Sequence, residues 1–387
     1  MAAKVTNLIE ENDRMTFTIS NIDVSYINSI RRTILSDIEI IGFKTSPYEE
    51  NKCEIEINTS RPRNEIIKQR LSCIPVCIKN IEEFPVDKYI LELDVENNTD
   101  TVMIVTTNDF KIRNLETNKY MEDAEVKKIF PPFIPPNGDG AHYIDFLWLR
   151  PKLSDEIPGE RIKLTCQFSI VTAKDDSSFN VSGTCSYGYT PDHKKMKEQL
   201  EIRKQKWKDE GKTEKEIDFE ASNWTKLEGL RYVIKDSFDF VIETVGIYDN
   251  DQIIIKSCMV LLKKLKILKS MLEQDELKIF ASDNTLDNCY DVILENEDYT
   301  IGNILNHELY KTFYSESSQL KALDFTGFKK MHPHDSDGIL RLSLIDGTKG
   351  ISTVKSIINK VIEDAIQTMS DIEGCFDVRW VETKKRK

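Results

Sequence analysis

One eight-residue pattern occurs twice in this chain, and few architectures accommodate it in both places. Residues 21–28 read N-x-D-x-S-x-x-N (Asn21, Asp23, Ser25, Asn28), and residues 296–303 read N-x-D-x-T-x-x-N (Asn296, Asp298, Thr300, Asn303). An alternating apolar run precedes each copy: Met15, Phe17 and Ile19 in the first, Tyr290, Val292 and Leu294 in the second. Helical spacing follows each: Val24, Ile27, Ile30 and Ile34, then Ile301, Ile304, Leu305 and Leu309. A period of two thus gives way to a period near 3.6 across the motif, as at a strand-to-helix transition. The acidic or hydroxyl side chains between them (Asp23 or Ser25, and Asp298) suit the helix N-cap, where an oxygen accepts from the first unpaired N–H groups. We favour the cap over a partner contact for Asp298 because the first copy has the same Asp–Asn spacing. One chain therefore holds two strand–cap–helix units, the pattern of two related subunits fused into a pseudo-dimer. Fusion replaces a bimolecular association with an intramolecular one at high effective concentration.

The rest of the chain fits that plan. Strand alternation returns at Arg161–Thr172 and Phe238–Val245, and a helix spans Ile253–Leu272 with Lys263, Lys264 and Lys266 on its wet side. Residues 273–276 (EQDE) form the join. A strand near 290–295, a helix over 300–313, strands near 323–331 and 338–345 and a long helix over 352–372 then repeat the order. That last helix carries an apolar stripe of Val354, Ile357, Ile358, Val361, Ala365, Met369 and Ile372. Between the first helix, expected to reach Ile38, and Arg161 the texture changes to short strands around Cys53–Ile57, Ile90–Val95 and Val102–Val105. One short helix, Glu65–Leu71, stops at Ile74-Pro75, and the PPFIPP stretch at 131–136 is a rigid loop. Residues 193–220 hold nine Lys/Arg against eight Asp/Glu, a balance that favours a solvated helix over a nucleic-acid arm.

With 387 residues the chain can bury two or three cores. A net charge of −13 argues against a free-standing nucleic-acid binder, which carries a basic excess. The eight cysteines are scattered, several within apolar patterns (Cys166, Cys258), as expected of reduced thiols in a cytosolic or nuclear setting. No run of about 18 apolar residues is present, so no membrane span is expected. The opening MAAKVTNLIEEN has no apolar signal core, so secretion is not expected.

Five segments resemble the paired subunits of one polymerase family. Ser20–Leu35 (SNIDVSYINSIRRTIL) is similar to the first helix of the third subunit of eukaryotic RNA polymerase II, whose relatives are the archaeal D subunit and the bacterial α subunit N-terminal domain. Asn64–Val76 (NEIIKQRLSCIPV) resembles the same family's D-E-F-I-x-x-R-L-x-x-I-P-L signature, and Arg161–Cys166 its strand leaving the insert. In the second half, Glu297–Leu305 (EDYTIGNIL) and Phe325–His334 (FTGFKKMHPH) resemble the eleventh subunit, the small partner known in archaea as L. Single-chain fusions of the two resemble a form found in large cytoplasmic DNA viruses.

The resemblance implies an α+β fold with two RNA-polymerase-alpha-type dimerisation domains paired within the chain and a β-rich insert. The division would be 1–42 with 161–273 (third-subunit-like), 43–160 (insert) and 274–387 (eleventh-subunit-like). It implies a non-catalytic assembly platform of a DNA-directed RNA polymerase, docking the two largest subunits and small zinc-type subunits, with no cofactor, no specific DNA or RNA binding and no membrane. Arg31, Arg32, Asn28, Glu65 and Arg70 would face the large subunits, and Ile30, Ile34, Asn303, Leu305, Ile358, Val361 and Ala365 would make the intrachain pairing. Adjacent arginines on a helix point about 100° apart, so Arg31 and Arg32 cannot both face a core, and guanidinium forks suit carboxylate or backbone partners. The viral likeness implies the host cytoplasm and the virion. The KKRK at 384–387 is the one hint of a nuclear address.

Other chemistry was weighed. Many relatives carry a metal-binding cysteine cluster in the insert, but Lys79–Asp94 has no cysteine, and Cys73 with Cys77 supplies two ligands where structural zinc takes four. His332-Pro333-His334 with Asp335 and Asp337 looks like a metal cluster, but an extended H-P-H would send its rings to opposite sides. Cys258 sits in an apolar helix and reads as core. No P-loop, G-x-G-x-x-G, H-E-x-x-H or D-x-D-G-D motif is present. The rival readings are a stand-alone enzyme with a site in the insert near His142 and Asp145, and a free nucleic-acid-binding module.

Overall fold

In the computed structural model the described residues are 2–136, 138, 140–154, 156–283 and 287–384. The chain opens with β1 (Lys4–Glu11), β2 (Arg14–Ser20) and α1 (Val24–Ser36). Then come β3 (Ile40–Gly42), β4 (Cys53–Asn58), α2 (Asn64–Ser72), β5 (Tyr89–Glu96), β6 (Met103–Thr106), β7 (Lys111–Asn114), α3 (Asp123–Ile129), β8 (Asp145–Leu149), β9 (Arg161–Gln167) and β10 (Ser169–Val171). Strands β11 (Ser182–Pro191) and β12 (Val233–Thr244) flank helices α4 (His193–Asp209) and α5 (Glu214–Lys226), and α6 (Asn250–Glu273) follows. The chain continues with β13 (Ile279–Ala281), β14 (Cys289–Leu294), α7 (Tyr299–Leu309) with a π-helical turn at Tyr310–Tyr314, β15 (Leu323–Lys329), β16 (Gly338–Leu344) and α8 (Ile351–Lys384). The fold is α+β. It forms two compact units: Met1–Ile34 with Thr184–Glu243 and Asn250–Lys387, and Leu35–Gly183 with Thr244–Asp249.

The first unit contains the same plan twice. One sheet has the order β1-β2-β12-β11, the other β13-β14-β16-β15. In each, two hairpins meet through their inner strands, β2 with β12 and β14 with β16, both antiparallel. A helix follows the second strand of each set (α1, α7) and another follows the fourth (α6, α8). Alternation explains the inner strands. Met15, Phe17 and Ile19 of β2 and Phe238, Phe240 and Ile242 of β12 are all buried, and the register partners Phe17 and Phe240 stack with centroids 5.2 Å apart. Edge strand β1 buries only Val5 among its eight residues, which is why its sequence carries no clear period. α6 and α8 pack along each other, and Leu261, Leu265 and Leu268 of α6 and Ile358, Val361 and Ala365 of α8 are buried. α8 extends to Lys384, beyond the expected end at 372. The KKRK stretch lies outside the described residues except for Lys384.

The second unit is built on a four-stranded sheet, β4-β9-β5-β7, with two-stranded sheets β10-β3 and β6-β8. Ile162, Leu164 and Cys166 of β9 are fully buried in a core that also holds Phe43, Phe110, Phe130, Phe146 and Phe168. The 161–172 run, expected as a single strand, is interrupted at buried Phe168. β9 pairs with β4 and β5, and β10 pairs with β3 instead. In the 131–136 loop Phe133 exchanges two 2.8 Å backbone hydrogen bonds with His142.

Residues 193–220, expected as one solvated helix, belong to a pair of helices. Gly211 at φ 79° ends the first, and a capping box of Thr213 and Glu216 starts the second. Trp207, Ile217 and Trp224 close a small core between them. This pair occupies the β11–β12 connection. In the second copy the corresponding β15–β16 connection is the short turn that holds His332-Pro333-His334.

Candidate functional site

The duplicated motif builds the same local structure twice. Asn21 and Asn296 both take the left-handed conformation, with φ of 63° and 56°, a region that Asn enters more readily than most residues. Asp23 Oδ1 then accepts from the Ser25 N–H and Asp298 Oδ1 from the Thr300 N–H, each at 2.8 Å. Of the two candidate caps in the first copy, Asp23 therefore does the capping, and Ser25 Oγ is buried without a partner among the described residues. The helices bury matching faces. Tyr26, Ile27, Ser29, Ile30, Thr33 and Ile34 of α1 align in turn with Ile301, Gly302, Ile304, Leu305, Glu308 and Leu309 of α7, and all are buried.

The two copies meet by exchanging equivalent contacts. With the motifs aligned, Asp23 falls on Asp298 and Arg32 on His307. Arg32 forms an ion pair with Asp298 and donates from Nε to Thr300 Oγ1 at 2.9 Å. Reciprocally, His307 Nδ1 lies 3.4 Å from Asp23 Oδ1. Each cap thus meets the residue nine positions on in the other copy, the signature of an isologous two-fold interface drawn within one chain. Ser29 Oγ donates to the Thr300 carbonyl at 2.6 Å, and Tyr26 Oη donates to Glu308 Oε1 at 2.8 Å. Burial, then the adjacent Glu308 charge, pushes the Tyr26 phenol far above its ordinary value, so it remains a donor. Burial works to raise the Asp298 carboxyl, but its hydrogen bonds from Thr300 and the charge of Arg32 outweigh that and hold it below the usual range.

The long helices extend the seam. Lys264 of α6 lies 3.6 Å from Glu297, just before α7, Lys269 lies 2.9 Å from Glu363 of α8, and Lys355 of α8 pairs with Asp275 at 2.5 Å. Phe376 of α8 packs edge-on against Phe17 of β2, centroids 5.0 Å apart, so the second copy's helix reaches the first copy's sheet.

A cavity of about 340 Å³ opens on this seam, with equivalent residues from both copies in its walls. Asn28 and Asn303 occupy the same motif position, and Tyr187 of β11 and Thr326 of β15 come from equivalent strands. Asn306, His307 and Tyr310 complete the α7 side. Burial pushes the Tyr187 phenol up against the opposing pull of Arg31.

The residues expected at a large-subunit face take distinct places. Arg31 folds back on its own helix, donating from Nε and Nη2 to Asn28 Oδ1 at 3.2 and 3.0 Å. Arg32 has its partner across the seam, and its side chain remains 37% exposed. In the second unit, exposed Arg70 donates to the carbonyls of Phe146 (2.7 Å) and Asp145 (2.9 Å), tying α2 to β8, and Glu65 is exposed in the first turn of α2. Of the residues assigned to intrachain pairing, Ile30, Ile34, Leu305, Ile358, Val361 and Ala365 are buried in the first unit, whereas Asn303 is half-buried in the cavity wall. Tyr26, Glu308 and His307 went unnoticed in the sequence. Superposing the two motifs beyond their eighth residue would have pointed to His307.

The second unit's His142 and Asp145 are both exposed. The rings of His332 and His334 lie with centroids 5.2 Å apart, not on opposite sides as expected: residues two apart share a face even in an extended chain. A turn, closed by the Asp335 N–H donating to the His332 carbonyl at 3.0 Å, holds the segment. Cys73 is exposed, and burial raises the Cys77 thiol. Fully buried Cys258 is pushed up to about 12, chiefly by burial. Among the described residues no group of three or more His, Cys, Asp or Glu is placed to hold a metal ion, and no helix is long and apolar enough to cross a membrane.

Comparison with known proteins adds to this geometry. Residues 16–265 match the RNA polymerase Rpb3/Rpb11 dimerisation domain, a span that begins within β2, includes the whole second unit and ends within α6. A curated relative, the conjugation stage-specific protein of Tetrahymena thermophila, is 32% identical over 132 residues, 31% of this chain and 39% of that protein. The chain thus matches about two fifths of that relative's length. The matched domain is a non-catalytic assembly domain of DNA-directed RNA polymerases.

Proposed function

We propose, from the premise that this chain belongs to the RNA polymerase Rpb3/Rpb11 dimerisation family, that it is a fusion of the two dimerising subunits and serves as the assembly platform on which the two largest polymerase subunits dock. The observation that carries this reading is the exchange of Arg32 with Asp298 against His307 with Asp23, the arrangement expected of two related subunits joined end to end. By ancestry the parts would be 1–42 with 161–273, 43–160 and 274–387. Arg31, Arg32 and Asn28 on α1 in the first unit, and Glu65 and Arg70 on α2 in the second, are the residues offered to the large subunits, and small zinc-type subunits join the same assembly. Nucleotidyl transfer belongs to the large subunits. The acidic balance of −13 supports protein partners over direct hold on DNA or RNA. The fused arrangement also supports a setting in a large cytoplasmic DNA virus, with the protein in the host cytoplasm and the virion. The nucleus is the alternative.

The test is gentle purification of the tagged chain from its native source. Two polypeptides above about 100 kDa, comparable with several fused domains, together with template-dependent RNA synthesis in the eluate, are the expected result. A chain that elutes without large polypeptides overturns the assembly role.

A further inference from the structure

The cavity on the seam has a chemistry of its own. Asn28 and Asn303, brought together by the repeat, face it from the two copies. Asn28 uses its carbonyl oxygen to accept from Arg31, and its amide N–H groups have no partner among the described residues. The Asn303 carboxamide makes no hydrogen bond within the described chain. Asn306 also spends its oxygen, accepting from Thr326 Oγ1 at 2.9 Å, which leaves its N–H groups to the cavity. Two half-used carboxamides and one unused one therefore line a cavity that belongs to both copies. None of them is needed to hold the helices together, since the burial and ion pairs of α1 and α7 lie on other positions.

We propose that this cavity is a docking site for an extended main-chain segment of a polymerase partner subunit, its peptide groups read by Asn28, Asn303 and Asn306. A carboxamide has the donor and acceptor geometry of a peptide group and carries no charge. A surplus of N–H donors fits a row of peptide carbonyls, and the acceptor on Asn303 fits a peptide N–H. A lysine or arginine side chain would find one carboxylate in the wall, Asp23, whose Oδ1 already accepts from the Ser25 N–H and faces His307 Nδ1. A carboxylate would find no guanidinium aimed at it, because Arg31 is turned onto Asn28 and Arg32 onto Asp298. Because the walls come from both copies, the segment binds only the paired form, so docking reports that the platform is complete. This inference rests on the assembly role proposed above and goes further by naming the element recognised.

The experiment places a photo-crosslinking residue at the site, Asn303→p-benzoylphenylalanine, in the tagged full-length chain expressed in its native source, and maps adducts in the purified assembly by mass spectrometry. The expected result is adducts concentrated in one contiguous segment of one large subunit. Parallel Asn303→Ala and Asn28→Ala/Asn303→Ala variants should fold with unchanged thermal midpoints. The double variant should recover the large subunits about tenfold less well, the effect of losing one or two net hydrogen bonds. Large subunits recovered at wild-type yield with the double variant, or adducts confined to this chain, overturn the docking site and leave the assembly role standing. Failure of the unmodified chain to bring down large subunits overturns both.

Discussion

Tyr26 donates its hydroxyl to Glu308, 2.8 Å away and 282 residues on, and the carboxylate it meets is 1% exposed. The bond joins the first helix of one repeat to the first helix of the other. Lys311 supplies the compensating charge from 3.1 Å. A buried carboxylate needs both, because an unsatisfied charged group costs more than the bond itself contributes. Tyr26→Phe is expected to destabilise the chain by about 2 kcal/mol, read as a lower urea midpoint at unchanged slope. Adding Glu308→Gln should recover part of that loss, because the neutral amide is cheaper to leave short of a partner. An additive double variant would show that the two residues act independently.

The seam ion pair gives a charge-reversal test. Arg32→Glu sets a carboxylate against Asp298, and Asp298→Arg alone also removes the α7 cap. The reversed pair, Arg32→Glu with Asp298→Arg, restores attraction but not the cap. With both side chains more than a third exposed, the pair itself contributes under about 1 kcal/mol. The expected order of thermal midpoints is wild type, then the reversed pair, then Asp298→Arg. A reversed pair no better than Asp298→Arg would remove the ion pair from the seam.

Gly302 explains part of the TIGNIL segment. A Cβ there would lie 2.4 Å from the Phe328 ring, which also fills the space a side chain on Gly338 would need. Gly302→Ala is expected to cost about 1–3 kcal/mol by overpacking, and Phe328→Leu in the same chain should relieve part of it. Wild-type stability for Gly302→Ala would mean the ring can move aside freely.

Acid should weaken the first unit through two carboxylates. Asp291, on β14, accepts two 2.7 Å bonds from Arg341, its register partner on β16. Burial acts to raise the Asp291 carboxyl, but the bonds from Arg341 and Ser282 prevail and hold it below its usual range, as Thr300 and Arg32 do for Asp298. A carboxyl depressed in the folded state contributes stability that is fully present above its unfolded value, near about 4, and is lost as pH falls through the lower folded value. Urea midpoints should therefore fall between neutral and strongly acidic pH, and Asp291→Asn should flatten that slope while lowering the neutral midpoint. An unchanged slope would assign the acid loss to other groups.

Much of the first unit was legible because its signals are local. The Met15–Phe17–Ile19 alternation and the Asn-x-Asp caps state strand, turn and helix within a dozen residues, and the stripe of α8 states its buried face. Partner choice across the repeats was not legible. Arg32 reaching Asp298 depends on how two helices cross, which no spacing within either helix encodes. The α4–α5 pair was blurred by charge: its lysines and glutamates mask the Trp207–Ile217–Trp224 contact, although Thr213 and Glu216 at capping-box spacing marked the second start. The cavity residues Asn28 and Asn303 were visible as motif letters, but their meeting required the pairing of the two copies.

The most direct measurement expresses the chain as two polypeptides, 1–274 and 275–387, parted in the join between α6 and β13, and determines their association by light scattering after co-purification. If the halves are fused subunits, they will recover as a one-to-one complex, with Arg32, Asp298, Tyr26 and Glu308 holding across the break. Two soluble, separately folded halves that do not associate would contradict the pseudo-dimer at the centre of this reading.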